Sequence, residues 1–160
     1  MSKYPVIIGR SEPVDITGVA LAVPAKVDTG AFRSSIHASN IKIKTIDGVE
    51  TLTCGLLGHP CAPVVRDFKT TQFSKVSVRS SNGHEETRYE VRIRIKLGNK
   101  VFNTSFTLAD RSSNLFPILI GRHALNNRFL VNVSSSNVKK QELLRDFGLD
   151  APRDEEDLED

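Results

Sequence analysis

Asp28, Thr29 and Gly30 are the residues whose types and spacing could do chemistry, and they follow a short apolar run that ends at Val27. A carboxylate at the end of a strand can act as a general acid or base, and glycine lets the backbone bend sharply beside it. Three small polar residues also make an ordinary turn, in which Asp28 would be a turn acid or an Asx cap. The triplet alone leaves both interpretations open.

Further motifs follow in a fixed order along the chain. They are KVDTGAFRSSIHA at residues 26–38, RSSNG at 79–83, LADRS at 108–112 and ILIGRHALNNRFLVNV at 118–133. In this order and spacing they resemble a bacterial family of retropepsin-like aspartic peptidases that carries the label ATP-dependent zinc protease. The resemblance covers residues 5–135. Members of that family are associated with ATP-grasp glutamate ligases, which add glutamate tails to a ribosomal protein.

The resemblance implies an all-β fold, a retropepsin-like acid-protease half-barrel. We expect a closed or partly open β-barrel with a flap hairpin and one short helix after the Ile-Gly-Arg motif. In such folds the second apolar run lies behind the active-site loop, which assigns Ile120 and Gly121 to bracing that loop. By the same resemblance Thr29 locks two loops across a twofold axis, Gly30 allows close backbone approach, and Ala31 bonds the substrate main chain.

An aspartic peptidase needs two carboxylates that share one proton, because two like charges so close together cannot both ionise. One carboxylate acts as a base toward water, and the other acts as an acid toward the scissile carbonyl. The chain contains a single Asp-Thr-Gly. Catalysis of this type therefore requires a symmetric homodimer that brings Asp28 of both copies to the twofold axis.

The Asn82-Gly83 turn lies between the two main motifs, where retropepsins place their flap, and it is the predicted flap tip. Its plainer reading is an ordinary hairpin. Arg79 precedes this turn and Arg88 follows it, so both could present positive charge to a substrate. As solvated strand residues they would be equally normal.

Two positions depart from the retropepsin pattern. Retropepsins commonly carry an acid two places after the glycine, where it holds the arginine of the second motif, and here that place is Phe32. Arg122 then needs another partner, for which Asp110 is the prediction, or it is free to bind an acidic substrate. The family usually has a basic residue at the place of Phe32, and Arg33 follows it here, so anion recognition is expected to shift by one residue.

The family label implies ATP and zinc, and the sequence supports neither. A glycine-rich phosphate loop ending in Lys-Ser/Thr and a His-Glu-x-x-His motif are both missing. The nearest metal ligands are Cys54, His59 and Cys61, with His84 as an outside partner, in a spacing that fits no standard module. We predict no cofactor and no metal, with that cluster as the alternative zinc site. His37 reads as a structural hydrogen-bonding histidine.

The elements that position these residues are mostly strands. We predict strands over residues 2–9, 19–27 (broken by Pro24), 36–44, 73–80, 85–97, 101–108 and 128–133, a loop over 53–67, and short helices over 122–126 and 139–147. In residues 85–97 apolar and charged side chains alternate, so one face is buried and one solvated. Asp47-Gly48 is a second hairpin turn signal, and hence a second candidate flap.

The length of 160 residues suits one domain, expected over residues 1–138, with a short helix or linker over 139–149. Residues 150–160 are expected to form an acidic, disordered tail. The N-terminus lacks a signal pattern and no apolar run is long enough to span a bilayer, which predicts a cytoplasmic protein with no membrane contact and reduced cysteines.

The net charge of +3 is divided unevenly along the chain. From residue 141 onward nine acids and two bases give −7, which leaves +10 on the rest. A basic body attracts nucleic acid, phosphate or acidic peptide. Nucleic acid ranks last among these, because no stacking motif is visible. The acidic tail could also act as a pseudosubstrate for a basic groove.

The leading hypothesis is a homodimeric aspartic endopeptidase that cleaves an acidic peptide or a glutamate-tailed ribosomal protein, with a glutamate ligase as its functional partner. The alternative is a non-catalytic module of the same fold that binds acidic peptides or a protein partner.

Overall fold

The structure is a computed structural model that describes residues 4–79 and 82–148. The predicted acidic tail, residues 150–160, lies outside the described residues. The strands are β1 (Val6–Ile8), β2 (Ser11–Ile16), β3 (Ala20–Val27), β4 (Ser34–Ile46), β5 (Val49–His59), β6 (Ala62–Thr70), β7 (Phe73–Arg79), β8 (Glu85–Leu97), β9 (Lys100–Ala109), β10 (Ile118–Ile120) and β11 (Phe129–Val131). The helices are α1 (Arg122–Leu125) and α2 (Lys140–Phe147).

Six strands close into a barrel, in the order β10-β3-β2-β8-β9-β4. The short strand β10 closes the ring, since it pairs in parallel with β3 on one side and antiparallel with β4 on the other. The predicted all-β fold with a closed barrel is thereby confirmed. The expected short helix is α1, which begins at the arginine of the Ile-Gly-Arg motif.

Three strands extend the sheet beyond this ring: β5 and β6 continue it outward from β4, and β7 pairs with β8. The predicted loop over residues 53–67 is wrong, because those residues form most of the β5–β6 hairpin. The glycine and proline residues of this segment led to the incorrect prediction of a loop. Gly58 has a positive φ of 76°, and Pro63 lies in β6, an edge strand that tolerates a missing N–H donor.

Two smaller strand predictions also need correction. The break expected at Pro24 does not occur, because β3 runs through it and pairs Pro24 with Pro13 of β2. Strand β2 itself was not predicted. Its burial alternates irregularly, so the period-two signal in its sequence is weak.

The main core lies inside the barrel. In β8 the residues Val91, Ile93, Ile95 and Leu97 are buried while the intervening basic residues are exposed, as the alternation predicted. The meander β7-β8-β9 is present as expected. A smaller cluster joins α2 to the barrel through its side chains Leu143 and Phe147. Neither described helix is long and apolar enough to cross a membrane.

Candidate active site

Asp28 lies one residue beyond β3, at the end of the parallel pair that β3 makes with β10. Val27 is in register with Ile120, and the backbone N–H of Asp28 donates to the Ile120 carbonyl oxygen at 2.9 Å. The pairing that closes the barrel therefore also fixes the position of this carboxylate. Its side chain is half-buried, and Thr29 and Gly30 beside it are exposed.

The turn after Asp28 is closed by the carboxylate itself. Oδ1 accepts a hydrogen bond from the Gly30 N–H at 2.9 Å, and the Asp28 carbonyl oxygen accepts one from the Ala31 N–H at 3.3 Å. Oδ2 has no hydrogen-bond partner among the described residues. One carboxylate oxygen is thus held by the loop, and the other is available to a water or a second carboxylate.

The second motif lies behind this loop and holds its backbone. The N–H of Arg122 donates to the Ala31 carbonyl oxygen at 2.7 Å, and the N–H of His123 donates to that of Phe32 at 3.0 Å. The Gly121 N–H donates to Ser34 Oγ at 3.0 Å. These three bonds tie the start of α1 to the loop, so a shift in one moves the other.

Gly121 permits this contact because it has no side chain. A Cβ at this position would lie 2.6 Å from the Arg33 carbonyl oxygen and 2.7 Å from that of Phe32. Contacts this short with backbone atoms cannot be relieved by a side-chain rotation. Glycine is therefore required here by close packing of two backbone segments.

The predicted pairing of Arg122 with Asp110 is wrong. Asp110 Oδ1 accepts hydrogen bonds from the N–H and Oγ of Ser112 and lies 3.9 Å from His37 Nδ1. The Arg122 guanidinium donates instead to the Thr29 carbonyl oxygen at 3.2 Å and lies 5.9 Å from the Phe32 ring centroid. An aromatic ring at the place of the usual acid offers the arginine a cation–π contact.

Each of the other predicted substrate-binding arginines is paired with a carboxylate. Arg33 bonds Glu90 of β8 at 2.6 Å, with 37% of its side chain exposed. Arg79 lies 3.6 Å from Glu85, its partner across the β7–β8 hairpin. Arg88 lies 3.2 Å from Glu86. An anionic substrate would have to compete with these carboxylates.

The two predicted flap residues lie in the loop that joins β7 and β8. Arg79 and Glu85 are the last pair among the described residues, and residues 80 and 81 lie outside them. Asn82 Oδ1 accepts a long hydrogen bond of 3.4 Å from the His84 N–H, and Gly83 has a positive φ of 85°. A two-residue turn at Asn82-Gly83 would pair Arg79 with Glu86, whereas Arg79 pairs with Glu85, so the predicted turn does not fit this register.

The second turn signal, Asp47-Gly48, joins β4 and β5 as predicted. Both of its residues have positive φ, 50° and 79°, which is typical of a two-residue hairpin turn.

The profile of one protein family, described as the retropepsin-like aspartic endopeptidase RimB, matches residues 7–142. The chain belongs to the RimB-like family. The match contains the Asp28 loop, the bracing motif and every barrel strand.

Curated relatives of this RimB-like chain carry a different name. A probable alpha-L-glutamate ligase from Shewanella pealeana is 33% identical over 140 residues, which is 85% of this chain and 30% of the ligase. A namesake from Desulfotalea psychrophila is 34% identical over 130 residues, covering 79% of this chain and 28% of the ligase. The chain thus spans less than a third of the relatives it matches.

A crystal structure of a Legionella pneumophila protein of unknown function has a similar fold. The TM-score is 0.69 at 29% identity, covering 82% of this chain and 95% of that one.

Two site contacts of the RimB-like chain escaped the sequence analysis. Ser34 accepts from Gly121, and Glu90 holds Arg33 against β8. Glu90 did carry a signal, since it is the one acid among the basic residues on the solvated face of residues 88–96. The contact of Ser34 carried no sequence signal, because serine is common at the start of a strand for many structural reasons.

The residues of the alternative zinc site do not converge. Cys54 of β5 belongs to the main cluster of buried residues, and Cys61 Sγ donates to the Leu143 carbonyl oxygen at 3.4 Å. Burial raises the pKa of Cys54 to about 11 and that of Cys61 to about 12, so both are neutral thiols at pH 7. Among residues 4–79 and 82–148 no three His, Cys, Asp or Glu side chains are grouped to hold a metal ion.

His59 is instead a buried structural residue that packs against the last turn of α2. Its Nε2 lies 2.7 Å from the Asn114 carbonyl oxygen, and its Nδ1 accepts from the Cys61 N–H at 3.0 Å. Its ring packs 5.5 Å from His37 and 5.7 Å from Phe147. These contacts suit a neutral imidazole that donates through Nε2, because protonated Nδ1 would face the Cys61 N–H.

The buried histidines should make the fold less stable in mild acid. Burial lowers the pKa of His37 and of His59, against an opposing effect of Asp110 at His37. Below pH 6.5 the unfolded chain binds protons that the folded chain does not. The free energy of unfolding should therefore fall by up to about 1.4 kcal/mol per pH unit for each histidine, until the folded pKa is reached. Urea denaturation between pH 8 and pH 5 measures it.

Variants separate this effect from other titrations. His59→Gln and His37→Gln should each flatten the pH dependence, because each removes one histidine whose pKa burial lowers. Asp110 does not interfere, because its pKa is lowered from 3.8 by its bonds to Ser112 and it titrates below this window. An unchanged slope in both buried-histidine variants would contradict the assignment.

Proposed function

We propose that this chain is an aspartic endopeptidase that acts as a homodimer and cleaves a peptide bond in an acidic, glutamate-rich protein tail. The observation that carries the proposal is the geometry of Asp28. One of its oxygens is held by the Gly30 N–H, its backbone is bonded to β10, and its second oxygen is free of protein partners within the described part of the chain.

A second copy would complete the site. Two Asp28 carboxylates within hydrogen-bond reach would share one proton. The ionised carboxylate takes a proton from a water whose oxygen attacks the carbonyl carbon, while the protonated one gives its proton to the carbonyl oxygen. The C–N bond then breaks as the carboxyl group that took the water proton gives it to the leaving nitrogen, while the other carboxylate takes a proton back from a hydroxyl of the intermediate. A lone carboxylate cannot supply both roles in the same step.

The surface beside the loop supports a second copy. Phe32 is 51% exposed, and Ile7 and Leu130, which pair in register between β1 and β11, are 68% and 58% exposed. Phe32 and Leu130 line an open cavity of about 740 Å³ that also reaches Thr29. Apolar surface next to an incomplete site is typical of an interface. In this proposal the partner copy covers it.

The relatives suggest the substrate class. Proteins named probable alpha-L-glutamate ligases contain a segment similar to this chain, and that name supports a substrate made of glutamate residues. A glutamate ligase joins glutamate residues into a chain. We assign to this chain the reverse outcome, hydrolysis of a glutamate-rich tail such as that of a ribosomal protein. A glutamate ligase would then be its functional partner, in the cytoplasm.

Subunit mixing tests the shared site. Wild-type protein mixed and re-equilibrated with an excess of Asp28→Asn protein should lose most of its hydrolysis of a glutamate-tailed peptide, because most wild-type chains then sit in mixed dimers with one carboxylate. The measurement is the rate per wild-type chain as the variant is added.

The matched control is Asp146→Asn, the same change at an exposed position of α2. An excess of that variant should add activity, since its dimers are complete. If excess Asp28→Asn protein leaves the wild-type rate unchanged, each chain works alone and the dimeric mechanism is wrong.

A further inference from the structure

The sheet extension β4-β5-β6 carries an open basic cavity of about 720 Å³. Its basic side chains are Lys42 and Lys44 of β4 and Lys69 of β6, which we call the lysine groove. Asp67 is the one acid that lines it. The sequence analysis predicted a strand over residues 36–44 and a loop over 53–67, and it gave these three lysines no role.

Strand register places these lysines on one face. Lys42 pairs with Thr53 of β5, and Thr53 pairs in turn with Lys69. Directly paired residues of antiparallel strands project to the same side, so Lys42, Thr53 and Lys69 form a row across three strands. Lys44 is two residues from Lys42, on the same face and about 6.8 Å further along the strand.

The three ammonium groups form no ion pair within the described parts of the chain, and they are exposed. This differs from the predicted substrate-binding arginines, because Arg33, Arg79 and Arg88 each face a carboxylate. Three positive charges against one carboxylate, Asp67, leave the groove with a net positive charge, which favours an anionic ligand. The anion attraction predicted from the +10 body is therefore concentrated at positions that the sequence analysis did not choose.

We propose that the lysine groove is an exosite for an acidic, extended peptide, which holds the substrate's tail outside the catalytic centre. The spacing supports a peptide in this role, since alternate side chains of an extended chain lie about 6.8 Å apart, which matches Lys42 to Lys44. The groove has only one aromatic side chain, the half-buried Phe68, and so offers little for nucleobases to stack on.

The fold connects the groove to the catalytic loop along one strand. Strand β4 begins at Ser34, which bonds the bracing motif, and reaches Lys42 eight residues later. That length of strand corresponds to at most about 26 Å, because the pairing of β4 with β5 is irregular between Ser39 and Lys42. An extended tail of roughly eight residues is therefore long enough to run from the exosite to the start of β4, beside the bracing motif. The inference rests on the proposed function in one respect only, that the bound peptide is also the substrate.

Binding can be measured without catalysis, by fluorescence anisotropy of a labelled octaglutamate peptide with the full-length Asp28→Asn protein. We expect changing Lys42, Lys44 and Lys69 together to glutamine to weaken binding about tenfold. The matched control changes Arg92, Arg94 and Lys96 to glutamine, since these exposed residues on the outer face of β8 carry the same charge. That control should shift the affinity by less than about twofold.

Catalytic measurements on the same substitutions in the active protein add a second readout. The groove variant should raise KM for a glutamate-tailed substrate and leave kcat near its original value, with a short neutral peptide unaffected. Equal weakening by the β8 control would overturn the exosite, because it would reflect overall charge. Tighter binding of a single-stranded oligonucleotide than of octaglutamate would also overturn it. If Asp28→Asn still cleaves the substrate, the proposed function fails, but the binding result is unaffected.

Discussion

Replacing Asp28 with asparagine should lower kcat for a glutamate-tailed peptide by about 10³-fold or more. The change is isosteric, and the new amide oxygen can still accept the Gly30 N–H that Oδ1 accepts now. The loop should keep its conformation while the group that exchanges protons with water is lost. Thermal unfolding and the crystal structure of the variant would therefore match the wild type, and only the rate would change.

The assay needs purified protein at several concentrations, because the active species is proposed to be a dimer. Asp146→Asn is again the matched control, with the same chemical change at an exposed position of α2. Activity within about tenfold of wild type in the Asp28→Asn protein would remove the aspartic mechanism. That result would favour the alternative hypothesis, a non-catalytic module that binds acidic peptides.

Replacing Gly121 with alanine should damage both the fold and the site. The added Cβ would overlap backbone atoms of Phe32 and Arg33 at 2.6–2.7 Å, and neither segment can move alone because hydrogen bonds join them. We expect a loss of about 3 kcal/mol in the free energy of unfolding and a displaced Asp28 loop. Urea denaturation measures the first effect, and the hydrolysis rate of the remaining folded protein measures the second.

Gly18→Ala is the comparison, since a Cβ there meets nothing within 4 Å. Its cost comes only from the positive φ of 74°, about 1 kcal/mol. It should leave the hydrolysis rate of folded protein unchanged. If Gly121→Ala is no more destabilising than Gly18→Ala and equally active, the second motif does not brace the loop.

The sequence predicted the meander β7-β8-β9 well, because alternation in residues 85–97 and a strong turn signal act locally. It failed over residues 53–67, where Gly55 and Gly58 looked like a loop. In the structure a Cβ on either glycine would lie within 2.7 Å of the Val65 side chain. Glycine at these positions allows β5 to pack against β6. Because the contacting residue, Val65, lies ten residues after Gly55, the local propensity of the segment does not reveal this requirement.

The partners of the arginines show the same limit. Asp110 was a reasonable partner for Arg122 on charge alone, but local hydrogen bonds to Ser112 hold its carboxylate. Arg33 is bound by Glu90, 57 residues along the chain. Opposite charges are common on a surface, and only strand register decides which of them meet.

By itself the sequence determined that this chain is a β-barrel of the retropepsin-like class with one Asp-Thr-Gly loop and a second apolar-Gly motif. Those features are local patterns in a fixed order, so they can be recognised from the sequence alone. Only the tertiary structure decided which oxygen of Asp28 is free, which cations are already neutralised, and that Lys42 and Lys69 share a face. Each of these depends on which strands lie side by side, and that choice is made by burial of the whole core.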